Sequence, residues 1–169
     1  MVSTSSDEAF EQLTDLAMRY PQVWEMNGPL TEDIVKAAED RLGLTFPRSY
    51  RLFLLRQGFA SFVGGGVNGI HPNSTSDNLV GSLFLDTEKA WERGWIPKDC
   101  LFIENMDEVY ILLDMSQMLA AEAPIIEVPV GTVPGKVDRT PVSPSFAEYY
   151  LARLTEMIEY LKNQGEIEN

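Results

Sequence analysis

The sequence is poor in the side chains that most often carry chemistry. It has one histidine, His71, and one cysteine, Cys100, among 169 residues. A lone cysteine excludes an internal disulfide. One His and one Cys also leave little for zinc sites, which usually draw on three or four ligands. Basic residues are scarce: 13 Lys and Arg face 26 Asp and Glu, a formal net charge of −13. That balance argues against holding nucleic acid by neutralising phosphates and against residence on anionic lipid. It suits a basic protein partner, or simply solubility. No stretch approaches the ~18 apolar residues of a membrane span. The opening Met1 to Asp7 has neither the basic nor the apolar region of a leader. These absences lead to the expectation of a cytoplasmic protein without a cofactor.

What is present is ordinary for a folded chain. Hydrophobic residues make up 44% and charged residues 23%, enough to build a core. The length points to one domain. Phe10, Leu13, Leu16, Ala17 and Tyr20 recur at helical spacing from Ser6, and Pro21 stops them. Thr31 is a candidate cap for a second helix carrying Ile34, Val35, Ala38 and Leu42, closed by Gly43. Pro47 is placed to open a third, with Tyr50, Phe53 and Leu54 inward and Gly58 at its end. The stretch from Gly64 to Asn78 reads as loop, and Leu79 to Trp95 is ambiguous. Leu101–Ile103, Val109–Leu113 and Ile125–Val130 read as short strands. Helical spacing returns from Ser145 through Phe146, Tyr150, Leu154 and Leu161.

Runs of helices and then strands predict an α+β domain. The closely spaced strands predict a mixed, mostly antiparallel sheet, built mainly between Val67 and Val130. N-terminal helices and a C-terminal helix should flank it. Residues 1–29 read as a helix and turn packed on the domain, 30–162 as its body and 163–169 as a flexible tail.

Gly64 to Gly69 matches the spelling of a dinucleotide-binding loop. Such a loop needs a strand before it and a helix after it. A helix ending at Gly58 precedes it and Pro72 follows, so the glycines read as a connection. Nothing in the sequence brings His71 to a nucleophile. The acidic excess is uneven: residues 1–60 carry a net −3 and residues 61–169 a net −10. Glu104, Asp107, Glu108, Asp114 and Glu127 lie on or beside the expected strands. They are the candidate partner-binding residues, with Trp91 and Trp95 as aromatic anchors. Because alternate strand residues share a face, Glu104 and Phe102 are expected to point one way and Ile103 the other. A pair of these carboxylates in acid–base work is the weaker reading, that of a hydrolase.

The segment from Ile34 to Leu54 resembles the opening signature of the SUKH superfamily, the Smi/Knr type. It has an acidic helix ending in Leu42-Gly43, then Pro47, Tyr50 and Phe53-Leu54. Asn68-Gly69-Ile70, Trp95-Ile96-Pro97, Asp107 to Asp114, Ala123 to Glu127 and Ser145-Phe146 resemble later segments of that family in order. Gln57-Gly58-Phe59 departs from its frequent Asn-Gly-Gly, and the strand from Val109 to Leu113 is more apolar than usual. The resemblance implies an α+β fold and no catalytic residues. Bacterial members are similar to immunity proteins against toxins, many of them nucleases, and fungal relatives to scaffolds for cell-wall synthesis. The resulting expectation is a non-enzymatic binding module for a basic toxin domain, with a regulatory scaffold as the alternative.

Overall fold

In the computed structural model, which describes residues 5–168, the first helix α1 (Ser6–Arg19) opens on a reciprocal cap. Ser5 Oγ accepts the Glu8 N–H, and the Glu8 carboxylate accepts the Ser5 N–H. Met1 to Thr4 of the polar opening, and Asn169 of the expected tail, lie outside the described residues. Helix α2 (Glu32–Leu42) closes on Gly43 in the left-handed region, φ 68°. Thr31 takes the extended cap geometry without a side-chain hydrogen bond. Helix α3 (Arg48–Gln57) starts one residue after Pro47, which sits at the cap position. The ambiguous segment contains α4 (Ser82–Glu92), and the last helix is α5 (Phe146–Asn163), capped by Ser145 Oγ on the Glu148 N–H.

The strands form two antiparallel three-stranded sheets rather than one sheet between Val67 and Val130. The first joins β1 (Trp24–Met26), β2 (Ala60–Phe62) and β3 (Gly65–Val67). All three lie outside the stretches expected to be strands, because three residues are too few to show a two-residue period. The second joins β4 (Cys100–Met106), β5 (Val109–Asp114) and β6 (Ile125–Pro129), as their close spacing predicts. The sheets are stitched together at Asn68. Its N–H donates to Ile103 O at 2.8 Å, and its side-chain amide donates to Phe102 O and Asp86. Its own carbonyl accepts the Tyr50 hydroxyl at 2.7 Å.

The main core gathers Phe10 and Leu13 of α1, Val35 and Ala38 of α2, Tyr50 and Phe53 of α3, and Tyr150 and Leu154 of α5 against Leu101, Ile103, Ile111 and Leu113. The opposite face of the second sheet presents Phe102, Tyr110, Leu112, Ile126 and Val128, covered by Ala90 of α4 and by Ile96. With both faces covered, β5 is apolar at nearly every position. Helices therefore flank the sheets on more than one side.

Strand β4 does not alternate simply. Phe102 pairs with Leu112 and Glu104 with Ile111, which leaves Ile103 as an extra, bulged residue. The bulge turns Glu104 onto the α5 face, away from Phe102, so the expected shared direction of Phe102 and Glu104 is overturned. The carbonyl of Ile103 is the one that receives Asn68.

The glycine run is the β2–β3 turn and strand. Gly64 has φ +81°, which suits glycine. A Cβ on Gly65 would lie 2.6 Å from Glu104 Oε1, so its bare backbone makes room for that carboxylate.

Candidate binding surface

The seven residues singled out from the sequence separate into three environments. Glu104 and Asp114 are buried, 2% and 0% exposed. Glu104 receives the Tyr149 hydroxyl at 2.7 Å and Arg153 Nη2 at 3.1 Å. Tyr149 and Arg153 are four apart on α5 and so share a helix face. Arg153 also lies over the Phe62 ring, 5.2 Å from its centroid. Burial, and then the Glu104 charge, push the Tyr149 hydroxyl well above the ordinary tyrosine range.

Asp114 closes the other end of the sheet. It accepts Arg139 Nη1 at 2.7 Å, the Ser116 hydroxyl at 2.6 Å and the Gln117 amide at 2.9 Å. Arg139 also donates to Asp99 at 3.0 Å. Asp99, Cys100 and Asp114 bring donor atoms within 4.8 Å of one another, the spacing of a metal cluster. The Arg139 guanidinium binds both carboxylates, so the cluster already has its cation. Burial and the nearby Asp114 push the Cys100 thiol far up, the opposite of a reactive cysteine. Glu104 and Asp114 therefore hold the fold and do not line an exposed face.

Asp107, Glu108 and Glu127 are exposed. Asp107 takes φ 58° in the tight turn between β4 and β5, a conformation Asp tolerates better than most residues. Glu127 lies on β6 opposite Ile111, in one row with Glu104 across the sheet. A groove of about 250 Å³ runs beside it, lined in part by Met106, Glu127, Val142, Tyr149 and Glu156. Its lining combines the carboxylates Glu127 and Glu156 with apolar Met106, Val142 and Ala152, and includes Arg153, which Glu104 holds. Glu156, on α5, joins this end of the molecule although the strand pattern pointed elsewhere.

The tryptophans lie at the far end of β4. Trp91 is half-buried, donates Nε1–H to Cys100 O at 3.0 Å and packs against both cores. It is a structural aromatic. Trp95 is 39% exposed, with Lys89 and Arg93 over its ring. Six residue steps along β4 separate Cys100 from the hairpin, about 20 Å, so the structure does not join the tryptophans and the hairpin acids in one surface.

Sequence reasoning missed the arginines that decide these roles, Arg139 and Arg153. Arg139 sits in an irregular segment with no periodic signal. The Tyr149/Arg153 spacing was readable, yet it flanks the apolar stripe of α5 and gives no hint of its partner on β4.

The fold and its surface define an α+β domain with locked interior carboxylates and an exposed acidic end. Residues 29–152 match the SMI1 / KNR4 family (SUKH-1), and the chain belongs to that family. No curated protein matches the chain. No helix among the described residues is long and apolar enough to cross a membrane.

Proposed function

We propose that the chain is a non-catalytic, cytoplasmic protein-binding module, an immunity protein that neutralises a basic bacterial toxin domain such as a nuclease. The observation that carries this reading is the acidic end of the second sheet. Asp107 and Glu108 are exposed in the hairpin, and Glu127 and Glu156 line the groove that begins at Met106 next to it, on a chain of net charge −13. A toxin that holds phosphate must present cations, and complementary potentials speed encounter and select the partner. Membership of the SUKH-1 family supports a binding role. The partner is a protein; nucleic acid and membrane are not bound directly. A hydrolase built on paired carboxylates loses support, because Glu104 and Asp114 are each committed to an arginine.

Co-expression tests the proposal. The chain should rescue growth from the toxin encoded by a neighbouring reading frame and form a one-to-one complex with it. Its association rate should fall with added salt and with Asp107→Asn combined with Glu108→Gln. Recovery of several housekeeping partners, with no toxin among them, would replace this reading with that of a regulatory scaffold.

A further inference from the structure

A second exposed surface has the opposite chemistry. Leu85, Lys89 and Arg93 follow one another at four-residue spacing and so form one stripe along α4 and its C-terminal cap. Leu85 is 70% exposed, and Lys89 and Arg93 are exposed as well. The Trp95 ring lies beside the stripe, with Lys89 Nζ 5.9 Å and Arg93 Cζ 5.2 Å from its centroid. Lys98 is exposed three residues beyond Trp95.

These cations differ from most others in the protein. Lys36, Arg41, Arg48, Arg51, Arg139 and Arg153 each meet a carboxylate within the chain. Lys89, Arg93 and Lys98 meet none among the described residues. The acids nearby are mostly engaged: Glu88 is held by Arg41, Asp99 by Arg139, and Asp86 accepts the Asn68 amide. Glu92 alone is left. The result is an exposed indole and leucine bordered by the uncommitted Lys89 and Arg93, with an uncommitted Lys98 three residues along the chain, on a protein that is otherwise strongly acidic.

We propose that this end of α4 is a docking surface for an acidic segment of a protein partner, separate from the acidic hairpin end. Charge complementarity selects carboxylates for Lys89, Arg93 and Lys98, and Leu85 and Trp95 supply the apolar contact. Lys89 and Arg93 lie over the ring and are held in place before the partner arrives. The net charge of the chain does not forbid this. The hairpin acids lie about 20 Å away along β4, beyond the ~8 Å screening length at physiological ionic strength.

The surface is tested on the full chain with a short, tryptophan-free peptide of Glu and Leu, and with the same peptide carrying Gln for Glu. Trp95 is the most exposed of the three tryptophans, so intrinsic fluorescence reports its occupancy. The Glu peptide should give a saturable change that Trp95→Phe abolishes, and the Gln peptide should not. Lys89→Glu with Arg93→Glu should weaken binding at least about tenfold, the scale of losing close complementary charges. Glu92→Gln should strengthen it. Asp107→Asn with Glu108→Gln should leave it within about twofold, which separates this surface from the toxin reading. All of these positions are exposed, and circular dichroism confirms that each variant folds. Undiminished binding after the double charge reversal would overturn the proposal, as would no saturable change with the Glu peptide. Tighter binding of a single-stranded oligonucleotide of equal charge would assign the surface to phosphate and overturn it too.

Discussion

Buried and exposed carboxylates stand a few residues apart in the second sheet and do opposite work. Glu104 lies three positions before Asp107, yet it is enclosed while Asp107 meets solvent. The three buried carboxylates among the described residues are Glu39, Glu104 and Asp114, and each meets an arginine: Arg51, Arg153 and Arg139. A planar guanidinium can serve two acceptors at once, as Arg139 does for Asp99 and Asp114. Asp107, Glu108 and Glu127, the exposed acids of this sheet, have no arginine partner among the described residues and remain available to a second molecule. Negative charge in the second sheet is therefore two populations, one that fixes the fold and one that sets the surface field.

Substitutions that strip an interior acid of its arginine should have the largest effect. Arg153→Ala leaves Glu104 with Tyr149 alone, at a site where the Glu104 and Arg153 side chains are 2% and 14% exposed. Breaking a buried pair from one side costs about 3–5 kcal/mol, measurable by urea unfolding. A loss below about 1 kcal/mol would place Glu104 with the surface acids.

Alkaline pH probes the same interior. Burial pushes the hydroxyls of Tyr50, Tyr149 and Tyr150 above their ordinary value of 10.0. Their stabilisation is therefore complete below about pH 10 and is lost as pH rises toward the folded-state values, by about 1.4 kcal/mol per tyrosine per unit. Absorbance at the phenolate band should rise together with loss of circular dichroism. Titration of all tyrosines near pH 10 with the fold intact would contradict the enclosure.

Arg139→Ala should cost less, about 2–3 kcal/mol, because Ser116 and Gln117 still donate to Asp114. The same variant opens a path to Cys100, so its thiol should react with a disulfide reagent faster than in the wild-type chain. Gly65→Ala should cost about 1–2 kcal/mol by crowding Glu104 Oε1, as overpacking does. Smallest of all, Asp107→Asn and Glu108→Gln should shift stability by no more than about 0.5 kcal/mol. Their effect should appear instead in association with a basic partner.

Much of the secondary structure was legible in the chain. Helices α1, α2, α3 and α5 and strands β4, β5 and β6 follow from periodicity, caps and glycine stops, because those signals are local. Strands β1, β2 and β3 were not legible, since each has three residues, too few to show a period, and β1 finds its partner β2 far along the chain. The glycines from Gly64 to Gly69 announced a special backbone without saying why. The reason for Gly65 is the Glu104 carboxylate, which arrives from 39 positions away.

The candidate surface was legible only as composition. Charge placed the acidic excess after residue 60 and named Asp107, Glu108 and Glu127 correctly as acids near strands, but it grouped them with Glu104 and Asp114. A single bulged residue, Ile103, reverses the direction of Glu104, and arginines supplied 25 and 49 residues later close over the two interior acids. By itself, the sequence determined helices α1, α2, α3 and α5, the longer strands, the family and the sign of the surface. Tertiary structure alone decided which carboxylates reach solvent and which cations stay free around Trp95. Burial and ion pairing are set by what packs against a residue, and that partner is distant in the chain.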